Sequence, residues 1–165
     1  MRFNLAGIVA GIAAVLIVVA GAAAATSPQT VAKPMTFHLV EIDHSFGMVD
    51  NPPKLKSRHD FFSPGDSFVF SSELKTTSGK HAGWLDAHCT VVTGGKAGLS
   101  QCEGTFRLGG GSLIAAATTS LNNAKTNVAI VGGTGAYAGM RGQVVSVSIG
   151  GENGNRSNDT FTLWK

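Results

Sequence analysis

Long helical stripes are missing from this chain: beyond its N-terminal segment, no stretch sustains a 3.6-residue apolar repeat, which excludes a helical bundle or a doubly wound α/β fold. Concentrated positive charge is missing too. The formal net charge is only +3 and the basic residues stand singly, apart from Lys54-Leu55-Lys56-Ser57-Arg58 in a Pro-rich stretch, so no nucleic-acid partner is indicated. The five histidines form no ligand cluster: His38 and His44 are six apart, and His81 and His88 fall on opposite faces of one strand. No metal is expected. A Gly-x-Ser-x-Gly nucleophile elbow does not occur either.

The N-terminus has the three parts of a secretion signal. Arg2 lies in a short n-region, an uncharged apolar run covers Leu5 to Ala20, and Gly21-Ala22-Ala23-Ala24-Ala25 supplies small residues for cleavage. Residues 1–25 are therefore expected to be a signal peptide and 26–35 an exposed lead-in. Residues 36–165 then form one domain, in a mature chain of about 140 residues. The protein is expected to be secreted or otherwise extracytoplasmic, meeting a membrane only if the signal is retained as an anchor. Export makes the two cysteines, Cys89 and Cys102, candidates for oxidation.

What is plentiful is alternation. Apolar and polar residues take turns over eight segments: Thr36 to Ile42, Ser67 to Leu74, His81 to Val92, Leu99 to Leu108, Ser112 to Thr119, Asn127 to Val131, Gln143 to Ile149 and Asp159 to Trp164. Glycine-rich connections separate most of them, which predicts an all-β chain of consecutive antiparallel strands that closes as a barrel or stacks as a sandwich. If Val92 opposes Leu99 across the hairpin at Gly95, Cys89 falls directly opposite Cys102, within reach of a disulfide. Leu85, Ala87, Val91, Gly104, Phe106 and Leu108 share that inner face. Phe68, Phe70, Ser72 and Leu74 share one face of the second strand.

On the first strand Phe37, Leu39, Glu41 and Asp43 share a face and His38, Val40, Ile42 and His44 the other, so periodicity alone leaves open which face is inside. If the Phe37 face is inside, two carboxylates enter an apolar interior. Ser45 to Asp66 reads as a long loop whose Phe46, Met48, Phe61 and Phe62 need an apolar surface to cover, either as a lid over one barrel mouth or as a plain surface loop.

Val131-Gly132-Gly133-Thr134-Gly135-Ala136-Tyr137-Ala138-Gly139-Met140-Arg141-Gly142 imitates a dinucleotide fingerprint. Gly139 and Gly142 interrupt any following helix, and too little chain remains for the βαβ unit that the motif opens. With Gly65-Asp66 and the strand carrying Cys89, the segment instead resembles the allene oxide cyclase and dirigent superfamily.

That resemblance implies an eight-stranded antiparallel up-and-down β-barrel, often a homotrimer, whose lumen binds a small hydrophobic molecule without a cofactor. In Leu39-Val40-Glu41-Ile42-Asp43, Glu41 matches the lumen glutamate of the cyclase branch, and Asp43 stands where that branch has asparagine. Ser72 replaces a second asparagine, two positions after Phe70, and Cys89 matches a cysteine. The resemblance favours the inward reading and makes Glu41 and Asp43 the candidate catalytic acids. Phe37, Leu39, Phe68, Phe70, Ser72 and Phe106 become candidate ligand contacts. The expected function is steering the cyclisation or isomerisation of a small apolar metabolite, as a cofactor-free cyclase or a dirigent-type guide; the alternative is a lipocalin-like carrier without chemistry.

Overall fold

A computed structural model describes residues 33–52, 54, 62–96, 98–120, 122–150 and 155–165. The expected signal peptide and most of the lead-in, with Pro53 and Leu55 to Phe61 of the loop, lie outside the described residues. Eight strands run β1 (Met35–Val49), β2 (Ser67–Thr76), β3 (His81–Thr93), β4 (Leu99–Leu108), β5 (Gly111–Thr119), β6 (Lys125–Gly133), β7 (Arg141–Gly150) and β8 (Arg156–Trp164). Each pairs antiparallel with the next, and β1 also pairs with β8, so the sheet closes as a barrel and leaves no edge.

Strict alternation sorts each strand into an inner and an outer face. At the end holding the β2–β3, β4–β5 and β6–β7 connections, the inner face is packed solid by Leu39, Leu74, Leu113, Val144, Phe161 and Leu163, all nearly or fully inaccessible. Phe37 stacks on Phe161 with ring centroids 4.5 Å apart, and Phe106 meets Phe161 edge to face at 5.0 Å. The glycine motif belongs to this closed end. Its 3-10 turn (Gly135–Tyr137) docks on the β4–β5 hairpin through Thr134 N–H to Ser112 O and Ala136 N–H to Gly110 O. Gly135 sits at φ +59°, and a Cβ there would lie 2.2 Å from Gly110 O, so backbone packing on backbone is what requires the glycine.

The third hairpin has the expected pairing over most of its length. Cys89 lies opposite Cys102 and the two form a disulfide, with Cα atoms 4.1 Å apart. The expected apposition of Val92 and Leu99 is corrected by one residue. Val92 bulges out, and Thr93 takes the place opposite Leu99.

A second bulge matters more. β1 does not stop near Ile42 but continues to Val49, with the register shifting between Asp43 and Ser45 so that His44 is the extra residue. Because the side-chain period is two, one inserted residue exchanges the faces beyond it. Phe46 and Met48 therefore fall opposite the inner-face residues Phe70 and Phe68. The stretch expected to open a long loop is thus strand as far as Val49, and Phe46 reaches the mouth of the barrel from that strand.

Candidate functional site

The half of the barrel beyond the packed core is hollow, with a cavity of about 490 Å³ that opens at the end where β1, β3, β5 and β7 finish. This size suits a small organic ligand. Its space comes from small inner-face residues on one side of the wall, Ala87 of β3, Gly104 of β4, and Ala115 and Ala117 of β5, where the closed half carries leucine and phenylalanine. Phe46, Phe68, Phe70 and Phe106 supply aromatic walls, and the Cys89–Cys102 disulfide forms part of the lining. Phe62, from the chain before β2, packs on Phe68 at 6.1 Å and Phe46 stacks on it at 5.7 Å, so Phe68 is held by a strand and a connection together.

Three acids face the small-residue wall from β1 and β8, the opposite side of the eight-strand ring. Glu41 and Asp43 come from β1. Asp159 comes from β8, directly across from Leu39, with Ser157 across from Glu41. The pairing of β1 with β8 is what brings Glu41 and Asp159 together, although they are distant in sequence.

Burial leaves the two carboxyls little water, and the charge of Asp159 raises the cost of ionising Glu41, whereas a hydrogen bond from Glu41 favours the charged form of Asp159. Glu41 is pushed up to about 8, by desolvation first and then by the negative charge of Asp159; Asp43 adds to the rise and the Ser72 hydroxyl opposes it. Asp159 is raised to about 6 by desolvation, against the pull of Ser146 and Glu41. The two titrate as one system, in which Glu41 holds a proton near neutrality beside an ionised Asp159. Only 1% of Asp159 is accessible, and Ser146 and Glu41 are the side chains that act on its carboxylate, though neither meets it at strict hydrogen-bond geometry. Ser72, fully buried on β2, donates through Oγ to Asp43 Oδ1 at 3.2 Å and so braces the acid cluster from the neighbouring strand.

Of the residues singled out in the sequence, Glu41, Asp43, Phe68, Phe70 and Phe106 line this cavity, with Cys89 and Cys102. Ser72 acts behind the wall. Phe37 and Leu39 are placed elsewhere: two and one inner positions further toward the N-terminus of β1, they are taken into the packed end against Phe161 and its neighbours. Asp159 was not singled out. Its signal was nonetheless there, since it shares strand parity with Phe161 and Leu163, both fully buried. Ser146, on β7 beside it, carried no comparable signal.

No protein-family model and no curated protein matches the chain. Solved structures do match it in fold. One is a pyocyanin demethylase, 23% identical, with 78% of this chain aligned to 99% of that one at a TM-score of 0.67. A pterocarpan synthase dirigent protein is 17% identical over 81% of this chain and 94% of its own, at 0.63. An exo-specific intermolecular Diels-Alderase is 15% identical over 79% and 98%, at 0.59. At such identities the likeness is one of fold. The barrel is that of dirigent proteins and of cyclase-type enzymes, and these likenesses do not single out allene oxide cyclase.

Proposed function

We propose that this barrel, exported from the cell, holds a small hydrophobic molecule in its open half and steers that molecule's cyclisation or isomerisation. The observation that carries the reading is the placement of Glu41 beside Asp159 on the wall of a mostly apolar cavity with four phenylalanines in its lining. An apolar lumen restricts the conformations of a flexible substrate, which lowers the entropic part of the barrier to ring closure. Protonated Glu41 donates to a developing oxyanion or carbonyl oxygen, while ionised Asp159, or the neighbouring Asp43, accepts a proton from elsewhere on the substrate. Such a step gives the substrate one proton and takes one from it, so it needs no oxidant or reductant, and passing a proton from the aspartate back to Glu41 resets the pair.

The known structures with this fold include proteins named as a pterocarpan synthase and a Diels-Alderase, which supports bond-forming chemistry as the class. The disulfide supports an oxidising compartment, hence export. A homotrimer is the assembly that goes with this reading, on the strength of the sequence resemblance alone, and light scattering of the purified protein tests it.

The test begins by capturing ligands from an extract of the producing organism and identifying them by mass spectrometry, then incubating each with wild type and Glu41→Gln. An enzyme of this kind converts a captured compound, and the variant binds it with near-normal affinity while turnover falls by roughly 10². Normal turnover in Glu41→Gln removes the acid's role. A compound bound in the lumen but recovered unchanged from the wild type makes the protein a carrier.

A further inference from the structure

We propose that the lumen selects an apolar organic cation, an aryl- or alkylammonium whose positive charge faces the wall that carries Glu41, Asp43 and Asp159 and whose hydrocarbon part lies among the phenylalanines. This rests on the reading of the lumen as a small-molecule site and goes further by naming the charge of what enters it.

The first support is the charge inventory of the wall. Glu41, Asp43 and Asp159 project from the inner faces of β1 and β8, and no lysine or arginine among the described residues lines the cavity. Its remaining ionisable residues, His44 and Glu103, belong to a bulge and to an outward strand position. An anionic ligand would meet acids with no counter-charge.

The second support is the setting of Asp159 within that wall. Asp159 is buried to 1% exposure and lines the same cavity, and only the side chains of Ser146 and Glu41 act on its oxygens, neither at strict hydrogen-bond geometry. A buried carboxylate in this condition is costly, and native proteins retain such groups where something outside the chain completes them. A cation in front of this wall offsets the repulsion that Asp159 exerts on Glu41 and that Asp43 adds, which a neutral ligand of the same shape cannot do.

The third support is the chemistry of the walls. Phe68, Phe70 and Phe106 offer ring faces and edges around the space in front of the acids, which suits the weakly hydrated charge of a substituted ammonium. A bare metal ion fits poorly, because among the described residues no three acids or histidines are arranged to hold one.

Three probes of one shape test this by calorimetry on the purified protein near neutral pH: naphthylmethyl-trimethylammonium, its neutral carbon isostere neopentylnaphthalene, and the anion naphthylacetate. The cation should bind at least about tenfold more tightly than the isostere, and the anion weakest of all. Asp159→Asn should bring cation and isostere to within about threefold of each other while leaving the isostere's affinity in place. Should that variant not fold, Glu41→Gln serves as the second acid variant and the wild-type ranking still decides. Ala117→Phe, which fills the lumen, should abolish binding of both. An isostere that binds as well as the cation overturns the charge selectivity and leaves the lumen site standing. Cation binding that survives Ala117→Phe places the site elsewhere and also overturns the proposal. If none of the three binds, the lumen reading falls with it.

Discussion

Replacing Glu41 by glutamine should change how the stability of the barrel depends on pH. In the unfolded chain this carboxyl titrates near 4.5, whereas in the fold desolvation and the neighbouring Asp159 push it up to about 8. As pH rises past the lower value, the unfolded chain releases its proton while the folded protein keeps it. The native state then binds more protons than the unfolded state, and stability falls with pH. The penalty starts near pH 4.5, grows until about pH 8, and is constant above. At about 1.4 kcal/mol per pH unit it amounts to roughly 3 to 5 kcal/mol, nearer the lower figure because the rise is shared between two coupled carboxyls.

Glutamine keeps the shape and cannot ionise, so the variant should lack this slope. Urea or guanidinium unfolding near pH 5 and near pH 9 reads the difference between the two proteins. Every other titrating group is present in both, so most of the remaining pH dependence cancels in the comparison. The variant should match wild type within about 1 kcal/mol at the acidic pH and exceed it by roughly 3 kcal/mol at the alkaline one. Parallel profiles would refute a desolvated Glu41, and with it the acid on which the proposed chemistry depends.

The disulfide closes a short loop, with Cys89 and Cys102 13 residues apart, so by loop-closure entropy its reduction should cost about 3 kcal/mol; an unchanged guanidinium midpoint under reductant would count against this. Asp66 is inaccessible and accepts from the backbone N–H groups of Asn51 and Ser63 and from Ser63 Oγ, and although burial acts to raise it, these bonds hold it below the ordinary aspartate range. Asp66→Ala should therefore cost about 2 to 3 kcal/mol near neutral pH, and the wild type should lose this contribution as pH falls below about 4 and through the lowered folded value, as acid titration of both proteins would reveal. Gly135→Ala should lower the melting temperature, because the site combines φ +59° with a 2.2 Å approach of the added Cβ to Gly110 O; Gly109→Ala, with nothing within 4 Å, should leave it nearly unchanged.

The barrel was legible because alternation is strong wherever one face is buried: the pairing of Cys89 with Cys102 followed from a single hairpin register. The upper part of β1 was not legible, since Asp43-His44-Ser45 is a polar run and a bulge at His44 breaks the period that would have carried the strand onward. Counting by twos has no means of locating an inserted residue, so Phe46 read as loop. Asp159 was missed for a related reason. The acid was taken as the boundary of β8, although Arg156 to Asn158 also pair, and its meeting with Glu41 depends on a seam between the first and last strands that no local pattern encodes.

The distribution of polar residues along the inner face then bears on function. β1 and β8 both carry large apolar side chains in the closed half (Phe37 and Leu39; Phe161 and Leu163) and both change to acids on entering the open half. Over the same interval β3 to β5 change from Leu85, Phe106 and Leu113 to Ala87, Gly104 and Ala115. A sequence shaped by stability alone would fill both halves alike, since buried acids and unfilled volume each cost free energy. Here the two departures lie across the lumen from each other, the missing volume on one side and the costly carboxyls on the other. Local conflicts of this kind are tolerated in native proteins mainly at sites of function. The acids face the space that a ligand would occupy, and that arrangement, more than the fold shared with other barrels, is the ground for proposing a ligand and a chemistry for this chain.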